Sequence, residues 1–276
     1  MDLEFTKMHG LGNDFVLFNA LAGSITLSPE QIRFVADRRF GVGCDQVLLL
    51  ESANVPGADV RFRIYNADGA EVEQCGNGVR CVGRFLWEHG LVDKDEIVVE
   101  TLNGLLTLYR QANGQVKVTM GIPEFAPEEI PMLAKSAANS YVLQVGDEQI
   151  EVAAVSMGNP HAIIKVDDTD AAPVHKLGPL VERHEVFPNG ANVSFMQVID
   201  SCHIRLRVWE RGVGETLACG TGACAAVVAG HLLSLLDDDV DVTLPGGHLQ
   251  IRWRGGQEPV WMTGPATQVF EGRIEV

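Results

Sequence analysis

RFRIYNADGAEVEQCGNG, residues 61 to 78, and RLRVWERGVGETLACGTG, residues 205 to 222, are two copies of one pattern. In each, an alternating apolar strand runs into a glycine-containing turn and then into Cys-Gly-polar-Gly. Cys219 lies 144 positions after Cys75, Val208 lies 144 after Ile64, and Glu215 lies 144 after Glu71, so the copies match without a gap. An apolar segment of helical composition follows each copy, VRCVGRFLWEH after the first and ACAAVVAGHLLSLL after the second. The pattern therefore places each cysteine where a helix begins.

The duplication extends outward from these stretches. LEFTKMHGLGNDFVLFNA near the start reads as strand, glycine turn, strand, and EVAAVSMGNPHAIIKV at 151 to 166 repeats that order, with Asn159 falling 146 positions after Asn13. Gln46 precedes the strand VLLLE, and Asn192, 146 positions later, lies in the loop FPNGANVSFMQVI. Any one of these loop amides alone reads as a turn former. Paired across a duplication and joined to a cysteine loop, they read as the lining of a shared cleft. Ser28 followed by Pro29 is an N-cap with proline at the first helical position, opening a helix over QIRFVADRRF that ends at Gly41 to Gly43. Residues 97 to 120 read as two or three strands joined by Asn-Gly turns. Met120-Gly121-Ile122-Pro123 resembles Met262-Thr263-Gly264-Pro265, and the Pro-rich segment EFAPEEIPMLAKSAAN between the halves is the candidate linker. The expected fold is α+β, with two pseudo-symmetric domains, each an antiparallel sheet or barrel wrapped around a central apolar helix. Residues 1–120 plus 266–276 would form the first domain, 121–265 the second, and the active site would lie in the cleft between them.

A chain of 276 residues with 46% hydrophobic content can bury a substantial core. Its net charge of −16 leaves no basic surplus to neutralise phosphates, which argues against nucleic acid and anionic membranes as partners. The acidic start MDLEFTKMHG carries no apolar leader core, and the expectation is a soluble, cytoplasmic protein. Six cysteines raise the question of a disulfide framework, which a chain this long without a secretory signal argues against. With no CxxC pair, no structural metal site is expected. Cys44, Cys81, Cys202 and Cys224 read as small buried hydrophobes, whereas Cys75 and Cys219 occupy equivalent places in a repeated turn.

A pseudo-symmetric pair of thiols at helix N-termini suits inversion of a carbon stereocentre. One group removes a proton from one face while the other delivers a proton to the opposite face. A helix N-terminus lowers a thiol's pKa, so a thiolate base is expected near neutral pH, and repulsion between two thiolates leaves one proton on the pair. Glycines at 76, 78, 220 and 222 would let backbone N–H groups approach a substrate carboxylate and stabilise the charge that builds there. Arg211 would fork onto a carboxylate and Glu210 would hold an ammonium group, although without the cysteines both would read as a solvated turn pair. For His161 a structural and a functional role stand level. No GxGxxG in a βαβ context and no GxxxxGK[ST] is present, and paired thiols make a pyridoxal lysine unnecessary, so no cofactor is expected.

HGLGNDF at 9 to 15, CDQ at 44 to 46, YNADGAEVEQCGNGVRC at 65 to 81, GNPH at 158 to 161, GANV at 190 to 193 and WERGVGETLACGTGA at 209 to 223 together resemble the diaminopimelate epimerase family over essentially the whole chain. That resemblance implies pyridoxal-independent interconversion of LL- and meso-diaminopimelate, on the bacterial route to lysine and the peptidoglycan precursor. It implies Cys75 and Cys219 as the acid/base pair, with His161 and Glu210 assisting. Substrate would be bound by Asn13, Gln46, Asn66, Asn159, Asn192 and Arg211, and the reacting carboxylate by amides of Gly76, Asn77, Gly220 and Thr221. It also implies a homodimer with a C-terminal aromatic contributing, here Phe270, where some relatives carry Tyr. Three rivals stand beside it. A proline racemase or hydroxyproline epimerase resembles this fold but typically reads CGHG in the first loop. A PhzF-like relative would not need both thiols, and a redox sensor would make Cys75–Cys219 oxidation the function.

Overall fold

The computed structural model describes residues 1–72 and 76–276; Cys75, with Glu73 and Gln74, lies outside the described residues. The chain divides into two compact units, Met1–Val118 with Gly264–Val276, and Thr119–Thr263. In order along the chain run β1 (Asp2–Gly10), β2 (Asn13–Asn19), α1 (Pro29–Ala36), β3 (Gln46–Ser52), β4 (Val60–Asn66), β5 (Glu71–Val72), α2 (Gly76–Glu88), β6 (Glu96–Thr101), β7 (Gly104–Arg110) and β8 (Val116–Thr119). The second half follows with β9 (Tyr141–Val145), β10 (Glu148–Ser156), β11 (Pro160–Lys165), α3 (Val174–Glu182), β12 (Asn192–Asp200), β13 (His203–Glu210), β14 (Gly214–Thr216), α4 (Gly220–Leu232), β15 (Asp239–Leu244), β16 (Gly247–Arg252) and β17 (Trp261–Gly264). The last strand is β18 (Thr267–Glu275).

The two units share one topology, and the α+β class expected from the sequence is the one adopted. In the first, β1 and β2 form a hairpin, β2 lies parallel to β3, β3 pairs antiparallel with β4, and the free edge of β4 pairs antiparallel with β5 at its end and parallel with β6 at its start. In the second, β10, β11, β12, β13, β14 and β15 repeat each of those relations in the same order. Register is preserved as well. Phe15 opposes Gln46 across the first parallel pair and His161 opposes Asn192 across the second, each 146 positions on. The sheets are therefore mixed, where alternation alone suggested antiparallel ones. Helices α1 and α2 connect the parallel strands in the first unit, as α3 and α4 do in the second, and a helical crossover is what makes parallel pairing possible.

Helices on the sheet explain why β3 reads as an unbroken apolar run. Val47 and Leu49 pack in the cluster that contains Ile32 and Val35 of α1. The alternate residue Leu48, with Phe15 and Phe62, faces Gly78 of α2, where a Cβ would stand 3.3–3.4 Å from all three. A strand covered on both faces loses the polar alternation of a half-exposed one. Helix α4 is buried nearly all round, with Ala223 through Ala229 at 1% exposure or less, which accounts for its lack of a polar face. Helix α2 departs from the expected apolar helix at Arg80, which is fully buried.

Three sequence expectations are corrected. Helix α1 stops at Ala36, short of Phe40, because the Asp37 carboxylate takes the backbone N–H groups of Arg39 and Phe40 at 2.7 and 2.8 Å and turns the chain. Its start is as expected, with Ser28 and Gln31 forming a reciprocal capping box. The Pro-rich segment 124–139 is not a free linker, since Ile130 and Met132 enter the core of the second unit with Val152, Val193 and Phe195. Cys202 is not a buried hydrophobe but an exposed residue of the β12–β13 turn. Residues after Pro265 do return to the first unit, where β18 pairs with β1 from Asp2↔Glu275 to His9↔Thr267. Among the described residues no helix is long and apolar enough to cross a membrane.

Candidate active site

In the first unit the β1–β2 turn is made by Leu11 and Gly12, both at positive φ (57° and 87°), the backbone of a tight two-residue hairpin turn. Asn13, the first residue of β2, is thereby held beside the loop preceding β3. Its Nδ2 donates to Asp45 Oδ2 at 3.0 Å, and its Oδ1 accepts from Asn77 Nδ2 at 3.2 Å. Asn77 in turn accepts from the buried Arg80 guanidinium at 2.8 Å, and Arg80 also donates to the carbonyls of Gly76 and Pro265. Gln46 and Asn66 face each other across β3 and β4, with Gln46 Nε2 donating to Asn66 Oδ1 at 2.8 Å. Asn13, Gln46, Asn66, Gly76 and Asn77 thus belong to one unit's set of loop ends and the first turn of α2. The second expected thiol, Cys75, immediately precedes Gly76 in sequence and is outside the described residues.

Behind Asn13 sits an ionic cluster that sequence reasoning missed. Asp14 is bound by Lys7 and, in a two-pronged contact, by Arg38. Burial opposes its charge, but hydrogen bonds from Arg38 and Lys7 overcome that cost and hold the carboxyl well below the usual carboxylate range.

In the second unit Cys219 is the N-cap of α4. Its Sγ accepts from the Gly222 N–H at 3.3 Å and lies 3.5 Å from Thr221 Oγ1. A Cβ at 222 would stand 3.2 Å from both Cys219 Sγ and Val208 Cγ2, so a side chain there would press on the thiol. Burial, and after it the Glu210 carboxylate, push the thiol well above its ordinary value, outweighing the Thr221 hydroxyl and Gly222 N–H that favour the thiolate. A protonated thiol here agrees with the expectation of one proton on the pair. A helix N-terminus lowers a thiol's pKa only where water or other donors also stabilise the anion, and here desolvation dominates. Glu210 itself is held by the Thr216 hydroxyl at 2.5 Å.

His161 is fully buried, and burial followed by the Arg211 charge lowers its pKa to about 3, so its imidazole is neutral. Asn159 Oδ1 accepts from Nε2 at 2.9 Å, which leaves Nδ1 an acceptor with no partner among the described residues. Asn192 donates to the Pro160 carbonyl at 3.2 Å and accepts from the Arg211 N–H at 3.0 Å. The Arg211 guanidinium rests on the Asn189 carbonyl at 3.0 Å. The second unit therefore holds His161 on Asn159 and Arg211 on Asn192, and sets Thr221 and Glu210 beside Cys219 at the start of α4.

Two supports of this site were not read from the sequence. Buried Glu182 at the end of α3 accepts from Trp209 Nε1 at 2.7 Å and from the Gly212 N–H at 2.9 Å, fixing the turn that carries Glu210 and Arg211. Arg207 grips Glu215 in a bidentate pair at 2.6 and 3.0 Å, and Arg63 grips Glu71 in the same way at 2.8 and 2.8 Å. Both partners recur at the offset of 144, so the matched arginines in RFR and RLR were the available signal. Phe270 of β18 is 47% exposed and makes an edge contact with Phe5, with ring centroids 5.9 Å apart.

Comparison with known proteins adds independent information. The family model described as diaminopimelate epimerase matches residues 5–126 and 153–269. The chain is 59% identical to a diaminopimelate epimerase of Thioalkalivibrio sulfidiphilus, with all of both chains covered. It is 56% identical to one of Nitrosospira multiformis, covering 100% of this chain and 99% of the other. Among solved structures it is similar to a PhzF-family phenazine biosynthesis protein of Bacillus anthracis, at TM-score 0.70 and 20% identity with both chains fully covered. It is also similar to a hydroxyproline epimerase of Agrobacterium vitis, at TM-score 0.70 and 18% identity over 99% of this chain and 92% of that one. At such identities the solved structures speak to the fold.

Proposed function

The chain belongs to the diaminopimelate epimerase family, and from that premise we propose that it interconverts LL- and meso-diaminopimelate by proton transfer between two thiols, without a cofactor. The observation that carries this reading is Cys219 as the N-cap of an apolar helix, with a backbone N–H on its sulfur and Glu210 beside it. In the proposed step the thiolate of one cysteine takes the α-proton as the thiol of the other gives its proton to the opposite face of the same carbon. The C–H bond electrons pass through the carbanion to the new C–H bond, and no net proton is gained or lost. Cys219, whose thiol burial and Glu210 push up, would be the acid for one direction, with Cys75 as the base. The roles exchange for the reverse reaction.

An α-proton is far less acidic than a thiol, so the carbanion needs stabilisation. Backbone amides at Gly76, Asn77, Gly220 and Thr221 would supply it at the reacting carboxylate. Neutral His161, with its bare Nδ1, and Glu210 would receive the hydrogens of the reacting ammonium group. Asn66, Asn159, Asn192 and Arg211 would hold the distal amino-acid end and select its configuration, and Asn13 and Gln46 would also bind substrate. The enzyme would act in the cytoplasm, in lysine and peptidoglycan-precursor synthesis, as a homodimer in which exposed Phe270 takes part. The charge of −16 supports a small zwitterionic substrate and argues against nucleic acid as a partner.

Proton NMR of LL-diaminopimelate in D₂O with the reduced protein tests the reading. Deuterium is expected at the α-position, with meso product, and with none entering L-proline or trans-4-hydroxy-L-proline. Cys219→Ser should lower kcat/KM by on the order of 10²–10⁴-fold with the fold intact. Exchange in the proline compounds, or near-normal turnover in Cys219→Ser, would refute it.

A further inference from the structure

The β12–β13 hairpin carries a group of side chains that the epimerase reading does not use. β12 ends at Asp200, β13 begins at His203, and Ser201 and Cys202 form the turn between them. The Cys202 thiol donates to Asp200 Oδ1 at 3.2 Å, that oxygen lies 2.9 Å from His203 Nδ1, and the same nitrogen lies 3.3 Å from Cys202 Sγ. A sulfur, a nitrogen and an oxygen from three neighbouring residues therefore form a triangle with edges of 2.9 to 3.3 Å. Tetrahedral zinc, with bonds of about 2.0–2.3 Å, sets its ligands roughly 3.3–3.8 Å apart. A few tenths of an ångström of opening would admit an ion at the centre.

The backbone holds this arrangement in place. Asp200 opposes His203 at the end of the ladder, and the Cys202 N–H donates to Asp200 Oδ1 at 2.9 Å. The turn is tied to the acidic run that follows α4: the Ser201 hydroxyl bonds Asp237, and the N–H groups of Asp237 and Asp241 donate to the carbonyls of Ser201 and Cys202 at 2.8 and 2.9 Å. Asp241 also opposes His203 across the parallel pair of β13 and β15. Local negative charge of this density attracts a cation. The turn lies at the far end of β13 from Glu210, about 23 Å along a strand of this length, so the group is separate from the proposed epimerase site.

We propose that Asp200, Cys202 and His203 form a binding site for a transition-metal dication of the zinc class, with water completing its coordination. Thiolate and imidazole ligands favour zinc, cobalt or nickel over magnesium and calcium, which require oxygen. Binding replaces the Cys202 S–H bond with a sulfur–metal bond and releases one proton to solvent, with no change of oxidation state. The bound ion closes the β12–β13 turn as a clip.

Co²⁺ added to the reduced full-length protein tests this, since a cobalt–thiolate bond absorbs by sulfur-to-metal charge transfer in the near ultraviolet. One ion per chain should bind with that band, Zn²⁺ should displace it, and calorimetry in buffers of different ionisation enthalpy should show one proton released. Cys202→Ser should abolish the band. His203→Asn and Asp200→Asn should each weaken Zn²⁺ binding by at least about tenfold. Metal-free Cys202→Ser should keep its epimerase turnover. A band that survives Cys202→Ser, that disappears in Cys219→Ser, or that never forms would overturn the assignment, as would unaltered affinity in both His203→Asn and Asp200→Asn.

Discussion

His161 and Cys219 are buried groups that the fold keeps uncharged, and their effects on stability run to opposite ends of the pH scale. The folded pKa of His161 is about 3 against an ordinary 6.5. Between those values the unfolded chain binds one proton more than the folded one, so stability rises with pH there and is lost on acidification from 6.5 toward 3. The expected slope is up to about 1.4 kcal/mol per pH unit. Cys219 is raised well above 9.0 and Cys44 is raised to about 12, in both cases chiefly by burial. The folded thiols therefore keep protons that unfolded thiols lose, and stability falls as pH rises beyond about 9. Urea midpoints measured across pH should show both limbs. His161→Asn should flatten the acid limb and Cys44→Ala should reduce the alkaline one. An acid limb of unchanged slope in His161→Asn would assign it to carboxylates such as Asp14, which is held below the usual range and also loses its contribution in acid.

The arms that lead to each α2 or α4 N-terminus are hairpins clamped by one arginine. Arg207 holds Glu215, the next residue Thr216 holds the Glu210 carboxylate, and Glu210 helps keep the proton on Cys219. Loosening the clamp should therefore reach the thiol without touching substrate. Arg207→Lys keeps the charge and loses the fork, so about 1 kcal/mol or less of stability is expected to go, given a partly exposed pair. The larger effect should appear in the pH profile of kcat, as a shift of the limb assigned to Cys219. Equal loss of stability with an unmoved profile would make the clamp merely structural. This element also shows how far the sequence could be read. The 144-residue offset placed the strand, the turn and the helix start in both halves, because each is a local pattern of alternation and glycine. Whether Arg207 meets Glu215 depends on β13 and β14 pairing antiparallel at Val208↔Thr216, a register set by packing. The same holds for Cys202, whose exposure follows from where the hairpin turns, and for Glu182, whose link to the site exists only once Trp209 folds onto it.

Over the whole molecule the duplication is offset at one edge. In the second unit the strand beside β10 is β9, which immediately precedes it in sequence; in the first unit the equivalent place beside β1 is taken by β18, from the end of the chain. The first unit is thus complete only when the last residues return, which local sequence patterns alone do not dictate. β18 covers Leu3 and Phe5 of β1, each 8% exposed, and Phe5 lies over Gly272, where a Cβ would come within 2.7 Å of its ring. Deleting residues 267–276 removes a row of backbone partners and uncovers those two side chains, at a cost of about 3–6 kcal/mol by area alone. Hydrogen exchange should then rise in β1, β2 and α2, while β10 to β13 and α4 retain protection, because the second unit already has its own edge strand. Gly272→Leu should produce a milder version of the same pattern without shortening the chain. Equal loss of protection in both units would mean that they unfold as one cooperative body, and that the stability of the Cys219 helix depends on a strand from the other repeat.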